Sequence, residues 1–320
     1  MAKSAAEVMV DMLAASGIRR VYGLPGDSLN GITDAIRKHP EMEWVHFRHE
    51  EVAAFAAGAE AHLTGALTVC AGSCGPGNLH LINGIYDCNR SRVPVLALAA
   101  QIPSAELGTG YFQETHPEIL YKESSVFCEL VSDPENAPRI LSLAMRAAVA
   151  RRGVAVVVVP GDVFLGPCSA PARIVPIAEP QAVMQPCAED LRHAAAMLND
   201  AGKVTILAGA GCSGAHKELI AIAEVLKAPI VHALRGKEYI EYDNPYDVGM
   251  TGLLGFSSGY YAMMNCDALL MLGTDFPYTQ FFPEKAKILQ VDVRGEQIGR
   301  RARVDLGLTG TVRDTVAALT

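Results

Sequence analysis

Several features are scarce in this sequence of 320 residues, and each scarcity narrows what the protein can be. Charged residues make up 19% of the chain against 50% hydrophobic ones, so large buried cores are expected, and the length suggests about two domains. No cluster of Lys and Arg occurs; the densest spots are Arg151-Arg152 and Arg300-Arg301. With a net charge of -8 the chain is repelled by phosphate backbones, so no nucleic-acid partner is expected. No apolar run approaches the ~18 residues that span a bilayer. The first fifteen residues read as an amphipathic helix with Ala6, Val10, Leu13 and Ala14 on one face. They lack the basic start and continuous apolar centre of a signal peptide. A soluble chain in the cytoplasm is the expectation. The eight cysteines (Cys70, Cys74, Cys88, Cys128, Cys168, Cys187, Cys212 and Cys266) form no Cys-x-x-Cys pair, and none has a zinc-like spacing to His. Free, buried thiols in a reducing compartment are expected, with no metal site. Strict repeats and low-complexity tracts are absent as well.

What is present is a regular alternation of helical and strand patterns. In the first half, helices are predicted over 4–16, 28–38, 50–63, 76–89 and 134–151. Strands are predicted over 20–23, 43–48, 67–71, 93–100 and 154–159. The last, Val154 to Val159, is apolar at every position and mostly β-branched, as in a parallel sheet buried on both faces. Between Gly166 and Pro186 stand five prolines, Pro167, Pro171, Pro176, Pro180 and Pro186, which predict an extended linker. The rhythm then restarts, with helices over 188–200, 215–226, 257–264 and 312–319 and strands over 204–208, 229–234, 268–272 and 288–293. The fold class is therefore α/β, with two doubly wound parallel-sheet domains, about 1–180 (linker from about 166) and 185–320.

Four stretches hold candidate chemistry. Arg48-His49-Glu50-Glu51 lies where a strand meets a helix, the end of a parallel sheet at which ligands are met. A carboxylate there could bond a ligand nitrogen and relay a proton, or simply favour the positive end of the helix dipole. Ala71 to Asn78 follows a strand and opens a helix, with Gly75 and Gly77 leaving room for a ligand; a plain strand-to-helix turn with Pro76 near the first helical position is the alternative. Phe112 and Gln113 sit in a long loop and could line a pocket or pack structurally. Gly209-Ala210-Gly211-Cys212-Ser213-Gly214 fits G-x-G-x-x-G after a strand, but the next strand ends in Arg235-Gly236-Lys237 without the acid an NAD site uses. Thr251-Gly252-Leu253-Leu254-Gly255 and Gly273-Thr274-Asp275-Phe276-Pro277-Tyr278 also follow strands and Asp292 ends one, a set that suits an extended nucleotide; turn glycines without a ligand remain the alternative.

Arg48-His49-Glu50-Glu51-Val52-Ala53-Ala54-Phe55 and its continuation to Ala61 resemble the first-domain motif of thiamine-diphosphate enzymes of the pyruvate oxidase and acetolactate synthase superfamily. Cys70 to Gly84, Gly110 to Pro117, Gly214 to Leu219 and His232 to Glu238 look like the pyruvate dehydrogenase (quinone) branch. The likeness runs from near residue 5 to the end. It implies a pyrimidine-binding domain followed by a central Rossmann-like FAD-binding domain. It implies that Glu50 is the catalytic glutamate that bonds the aminopyrimidine N1′ of thiamine diphosphate. Gly75, Phe112 and Gln113 become substrate-side residues. Thr251, Gly252, Leu253, Leu254, Thr274, Asp275, Phe276, Pro277, Tyr278 and Asp292 become FAD contacts. The implied reaction decarboxylates pyruvate to acetate and carbon dioxide, with electrons passed through FAD to ubiquinone. A homotetramer is implied, peripheral on the cytoplasmic face of the inner membrane. The rivals are a phosphate-dependent pyruvate oxidase, an acetolactate synthase and a non-catalytic nucleotide-binding fragment. The family's Gly-Asp-Gly magnesium and diphosphate motif has no counterpart here; Gly26-Asp27-Ser28 and Gly161-Asp162-Val163 are the nearest strings. The Mg2+ ligands and a membrane-binding segment are therefore expected in a C-terminal domain absent from this chain, and a fragment of a longer protein is expected, with a truncated product as the alternative.

Overall fold

The computed structural model describes residues 2–169, 177 and 182–320. The chain divides into two compact units, Met1–Pro180 and Gln181–Thr320. The first unit runs α1 (Ala5–Ala15), β1 (Arg20–Gly23), α2 (Asn30–Lys38), β2 (Glu43–His46), α3 (Glu50–Thr64), β3 (Thr68–Gly72) and α4 (Pro76–Arg90). It continues with β4 (Val95–Gln101), α5 (Pro117–Leu120), β5 (Phe127–Leu130), α6 (Ala137–Arg151), β6 (Val154–Pro160) and α7 (Gly161–Leu165). The second unit holds α8 (Ala188–Asp200), β7 (Val204–Ala208), α9 (His216–Leu226), β8 (Ile230–His232), α10 (Lys237–Ile240) and β9 (Asp247–Met250). After these come α11 (Ser257–Met264), β10 (Ala268–Leu272), β11 (Lys287–Asp292), β12 (Leu306–Thr309) and α12 (Val312–Leu319).

Each unit carries one six-stranded, all-parallel sheet, in the order β2-β1-β3-β4-β6-β5 and β12-β11-β10-β7-β8-β9. The doubly wound α/β expectation holds. Alternate residues of a strand serve opposite faces, and β6 shows why its sequence is apolar throughout. Ala155, Val157 and Val159 join the core under α1, α2, α6 and α7, while Val154, Val156 and Val158 join the core under α3 and α4. Each fully buried valine contributes about 1.5–3 kcal/mol. In the second unit Ala268, Leu270 and Leu272 of β10 face one core, and Leu269 and Met271 face the other.

Several expectations need adjustment. Helix α1 buries more than one stripe: Val8, Met9 and Met12 are buried beside Ala6, Val10, Leu13 and Ala14, because α2, α6 and α7 all pack on it. Strands β5 and β12 add to those expected, and β9 is the strand implied only by the loop at Thr251 that follows it. Of the prolines in the expected linker, Pro171, Pro176 and Pro180 lie outside the described residues. The flanks are fastened to their own units. Ser4 and Pro167 form an isolated antiparallel bridge, and Cys168 N–H donates to Lys3 O at 2.9 Å. Thr311 N–H donates to Met184 O at 2.8 Å, and Met184 N–H donates to Asp314 Oδ2 at 3.0 Å. All eight cysteines are free thiols; Cys187 is exposed and Cys128 half-buried. Among the described residues, no helix is long and apolar enough to cross a membrane.

Candidate active site

Strand order reverses between β1 and β3 in the first sheet, which opens a crevice at the carboxyl ends of those strands. Glu50 lies at the margin of this edge, as the first residue of α3 behind the cap residue His49. Its side chain is only 5% exposed. It is not lodged among the strands of the apolar core, since its neighbours come from the loop after β3 and from α4. A Cβ placed on Gly77 would lie 3.2 Å from Glu50 Oε1 and 2.8 Å from Ser73 Oγ, so glycine there keeps open the space beside the carboxylate. The other oxygen, Oε2, is 3.2 Å from His80 Nδ1. The His80 ring stacks on that of His49, with centroids 4.6 Å apart.

The same edge gathers the expected substrate-side residues, unevenly. Gly75 and Gln113 touch: a Cβ on Gly75 would be 2.7 Å from Gln113 Cβ. Gln113 adopts φ 65°, an uncommon left-handed conformation for a non-glycine residue. Its Oε1 accepts from Cys74 Sγ at 3.5 Å, and burial pushes the Cys74 thiol up from its ordinary range. Phe112, by contrast, is 80% exposed and packs against no wall. Beneath the site, buried Asn78 donates to Ala100 O at 2.8 Å, and Tyr121 Oη donates to Asn78 O at 2.6 Å. Burial holds the Tyr121 phenol well above its ordinary value. Sequence reasoning did not single out His80. Its position on α4, beside the Gly77, Leu81, Gly84 and Cys88 face that packs on α3, was the available signal.

In the second sheet the order reverses between β7 and β10. The Gly209–Gly214 loop sits at this crevice, but its glycines are used differently from the nucleotide reading. A Cβ on Gly209 would be 2.6 Å from Thr274 Cβ, one on Gly211 would be 2.6 Å from Gly273 Cα, and Gly211 N–H donates to Gly273 O at 2.9 Å. The two loops pack on each other, so these glycines permit loop contact.

The remaining candidates of this unit are placed differently from one another. Thr251, Gly252, Phe276 and Tyr278 come together. Gly252 has φ 101° and lies flat against Phe276, where a Cβ would be 3.0 Å from the ring. Phe276 meets Tyr278 edge to face at 5.4 Å. Thr251 Oγ1 is buried without a hydrogen-bond partner, an orphan that a ligand atom or water would satisfy. Leu253 and Leu254 protrude, at 66% and 70% exposure, and Pro277 is also exposed. Thr274 is buried, and Asp275 is tied to Arg301 by two bonds of 2.8 and 3.3 Å. Asp292, at the end of β11, accepts from Arg294 N–H at 2.9 Å, with the Arg294 guanidinium 3.5 Å away. That carboxylate is engaged locally.

A doubly wound sheet with a shielded carboxylate at the edge where such sheets meet ligands, followed by a second doubly wound sheet, defines a two-unit α/β protein. Residues 3–120 match the family model "thiamine pyrophosphate enzyme, N-terminal TPP binding domain", and residues 191–319 match "thiamine pyrophosphate enzyme, central domain". The chain belongs to the thiamine pyrophosphate enzyme family through its N-terminal and central domains. It is 65% identical over 315 residues to an "uncharacterized 42.6 kDa protein in isoamylase 3′ region" of Pseudomonas amyloderamosa, covering 98% of this chain and 80% of that one. It is 38% identical to the "putative thiamine pyrophosphate-containing protein YdaP" of Bacillus subtilis, over 96% of this chain and 54% of the relative. It is 29% identical to the pyruvate oxidase of Lactiplantibacillus plantarum, over 98% of this chain and 53% of the relative. The chain thus spans about half the length of the last two.

Proposed function

We propose that the protein oxidatively decarboxylates pyruvate to acetate and carbon dioxide, using thiamine diphosphate and FAD, and hands the electrons to a quinone. The observation that carries this reading is Glu50: a shielded carboxylate at the sheet edge, with one oxygen held by His80 and the other beside the space that Gly77 keeps open. When bound, thiamine diphosphate supplies the nucleophilic carbon and the electron sink for decarboxylation, and FAD supplies two-electron transfer.

This chain's own residues do the rest. Glu50 exchanges a proton with a ligand nitrogen across a hydrogen bond. Gly75 and Gln113 form the substrate-side wall, and the exposed Phe112 ring is available to a second subunit of a homotetramer. On the second unit, the orphaned Thr251 hydroxyl, the close-packed Gly252 and the Phe276–Tyr278 pair suit a flavin nucleotide better than the Gly209–Gly214 loop does. Likeness to a pyruvate oxidase supports the substrate.

The test is to supply the whole protein with pyruvate, thiamine diphosphate, Mg2+ and a quinone analogue, with and without phosphate. Quinone reduction coupled to carbon dioxide release, indifferent to phosphate, is expected. A strict phosphate requirement with acetyl phosphate as product would replace quinone by the phosphate-dependent route. Purified protein without a flavin spectrum would remove FAD from the account.

A further inference from the structure

We propose that His80 is a positioning residue for Glu50: it ties one carboxylate oxygen, leaves the other for the ligand, and links the shielded carboxylate to solvent. This deepens the functional reading of Glu50 and rests on it.

A carboxylate with 5% of its side chain exposed needs hydrogen bonds in place of water. Oε2 finds one at His80 Nδ1, 3.2 Å away. An ionised carboxylate only accepts, so the nitrogen that faces it carries the proton. Neutral His80 is therefore held in the Nδ1–H form, with Nε2 as its acceptor. The His80 side chain is half-exposed, so the ring touches both the shielded carboxylate and water.

The ring is held by its neighbour. His49 stacks on it at 4.6 Å with the planes 22° apart. His49 is itself pinned, because its Nδ1 accepts the Glu51 N–H at 3.3 Å. Neutral His49 must then carry its proton on Nε2, and the two stacked rings hold opposite tautomers. The other ionisable groups around the pair are Glu51, which accepts from Asn83 through Oε1 and has Oε2 3.8 Å from His49 Nδ1, beyond hydrogen-bond reach, and Tyr121, whose phenol is engaged with Asn78 O.

Two consequences follow for Glu50. With Oε2 tied, Oε1 is the oxygen directed to the space beside Gly77. Protons also have a route to the carboxylate. A proton taken up from water at His80 Nε2 lets Nδ1 release its own to Oε2, which leaves a neutral ring in the Nε2–H form. The reverse transfer restores the starting state, with no net change in the histidine.

The test is the nitrogen-15 NMR signature of the histidine rings in the protein, recorded at a pH where each ring shows one protonated and one bare nitrogen. His80 and His49 signals are assigned by loss in H80N and H49Q. The expected result is Nδ1–H for His80 and Nε2–H for His49, with His80 reverting to Nε2–H in Glu50→Leu. Wild-type His80 in the Nε2–H form, or a His80 tautomer unmoved by Glu50→Leu, would overturn the proposal. In turnover, His80→Leu should lower kcat by about 10²-fold, the scale of a misplaced group, with KM for pyruvate little changed. His80→Asn, which returns an N–H near the Nδ1 position, should recover part of the loss. Equal loss in both variants would also count against the proposal. If wild-type protein shows no thiamine-dependent turnover, the functional reading fails, and the tautomer measurement still decides the pairing.

Discussion

Replacing Gly84 by alanine should loosen the joint that sets Glu50 against His80. Helices α3 and α4 approach each other through small residues. A Cβ on Gly84 would lie 2.5 Å from Ala54 Cβ and 2.8 Å from Glu51 O, and one turn along, a Cβ on Gly58 would lie 2.6 Å from Cys88 Sγ. Non-bonded carbons rest at about 3.5–4.0 Å, so the new methyl is about 1 Å too close. The Glu51 carbonyl is backbone and cannot rotate away, so the overpacking cost falls near the top of the usual range, about 3 kcal/mol. Alanine returns about 1 kcal/mol of helix propensity. The net loss is about 2 kcal/mol, a fall of about 4–8 °C in Tm for a unit of this size. Calorimetry on wild type, Gly84→Ala and the double variant with Ala54→Gly checks this. The second change removes the nearer of the two clashes, so it should recover part of the loss, with a coupling of at least about 0.5 kcal/mol. A Gly84→Ala protein that unfolds at or above the wild-type temperature would refute the reasoning.

Two further outcomes test other parts of the molecule. His232 is 2% exposed with neither ring nitrogen hydrogen-bonded, although Glu241 and Asp247 lie 3.7 and 3.9 Å away. Burial lowers its pKa from 6.5, with Asp247 opposing. The unfolded chain then binds a proton that the folded chain rejects, so this contribution is full above pH 6.5 and is lost as pH falls from there through the folded value. His232→Gln should flatten that part of the pH profile in urea unfolding; a wild type that gains stability on acidification relative to the variant would contradict it. Burial pushes the Cys88, Cys128 and Cys212 thiols to about 12 and Cys266 to about 11, whereas Cys187 is exposed. Native alkylation followed by mass spectrometry should mark Cys187 first; faster labelling of a buried thiol would contradict the packing described.

The sequence was most readable where burial is two-sided. Val154 to Val159 could only be a central strand, and the structure places it there. The strands with the weakest pattern, β5, β9 and β12, are all at sheet edges. Edge strands are half-exposed, and Glu129, Asp247, Gly249 and Gly307 interrupt any apolar pattern. The G-x-G-x-x-G string misled for a related reason: close approach needs glycine whether the neighbour is a phosphate or, as here, the backbone of Gly273. Glu50 could be placed on a helix start by pattern alone, but its shielding and its pairing with His80, thirty residues on, appear only in three dimensions.

The Glu50 carboxylate is the group on which the proposed reaction depends, and the most direct test of it is carbon dioxide release from pyruvate by wild type and Glu50→Gln at saturating thiamine diphosphate and Mg2+. Gln keeps the size of the side chain but cannot hold and release a proton. The expected result is a loss of at least about 10²-fold in kcat with the fold intact. Decarboxylation by Glu50→Gln at the wild-type rate would contradict it.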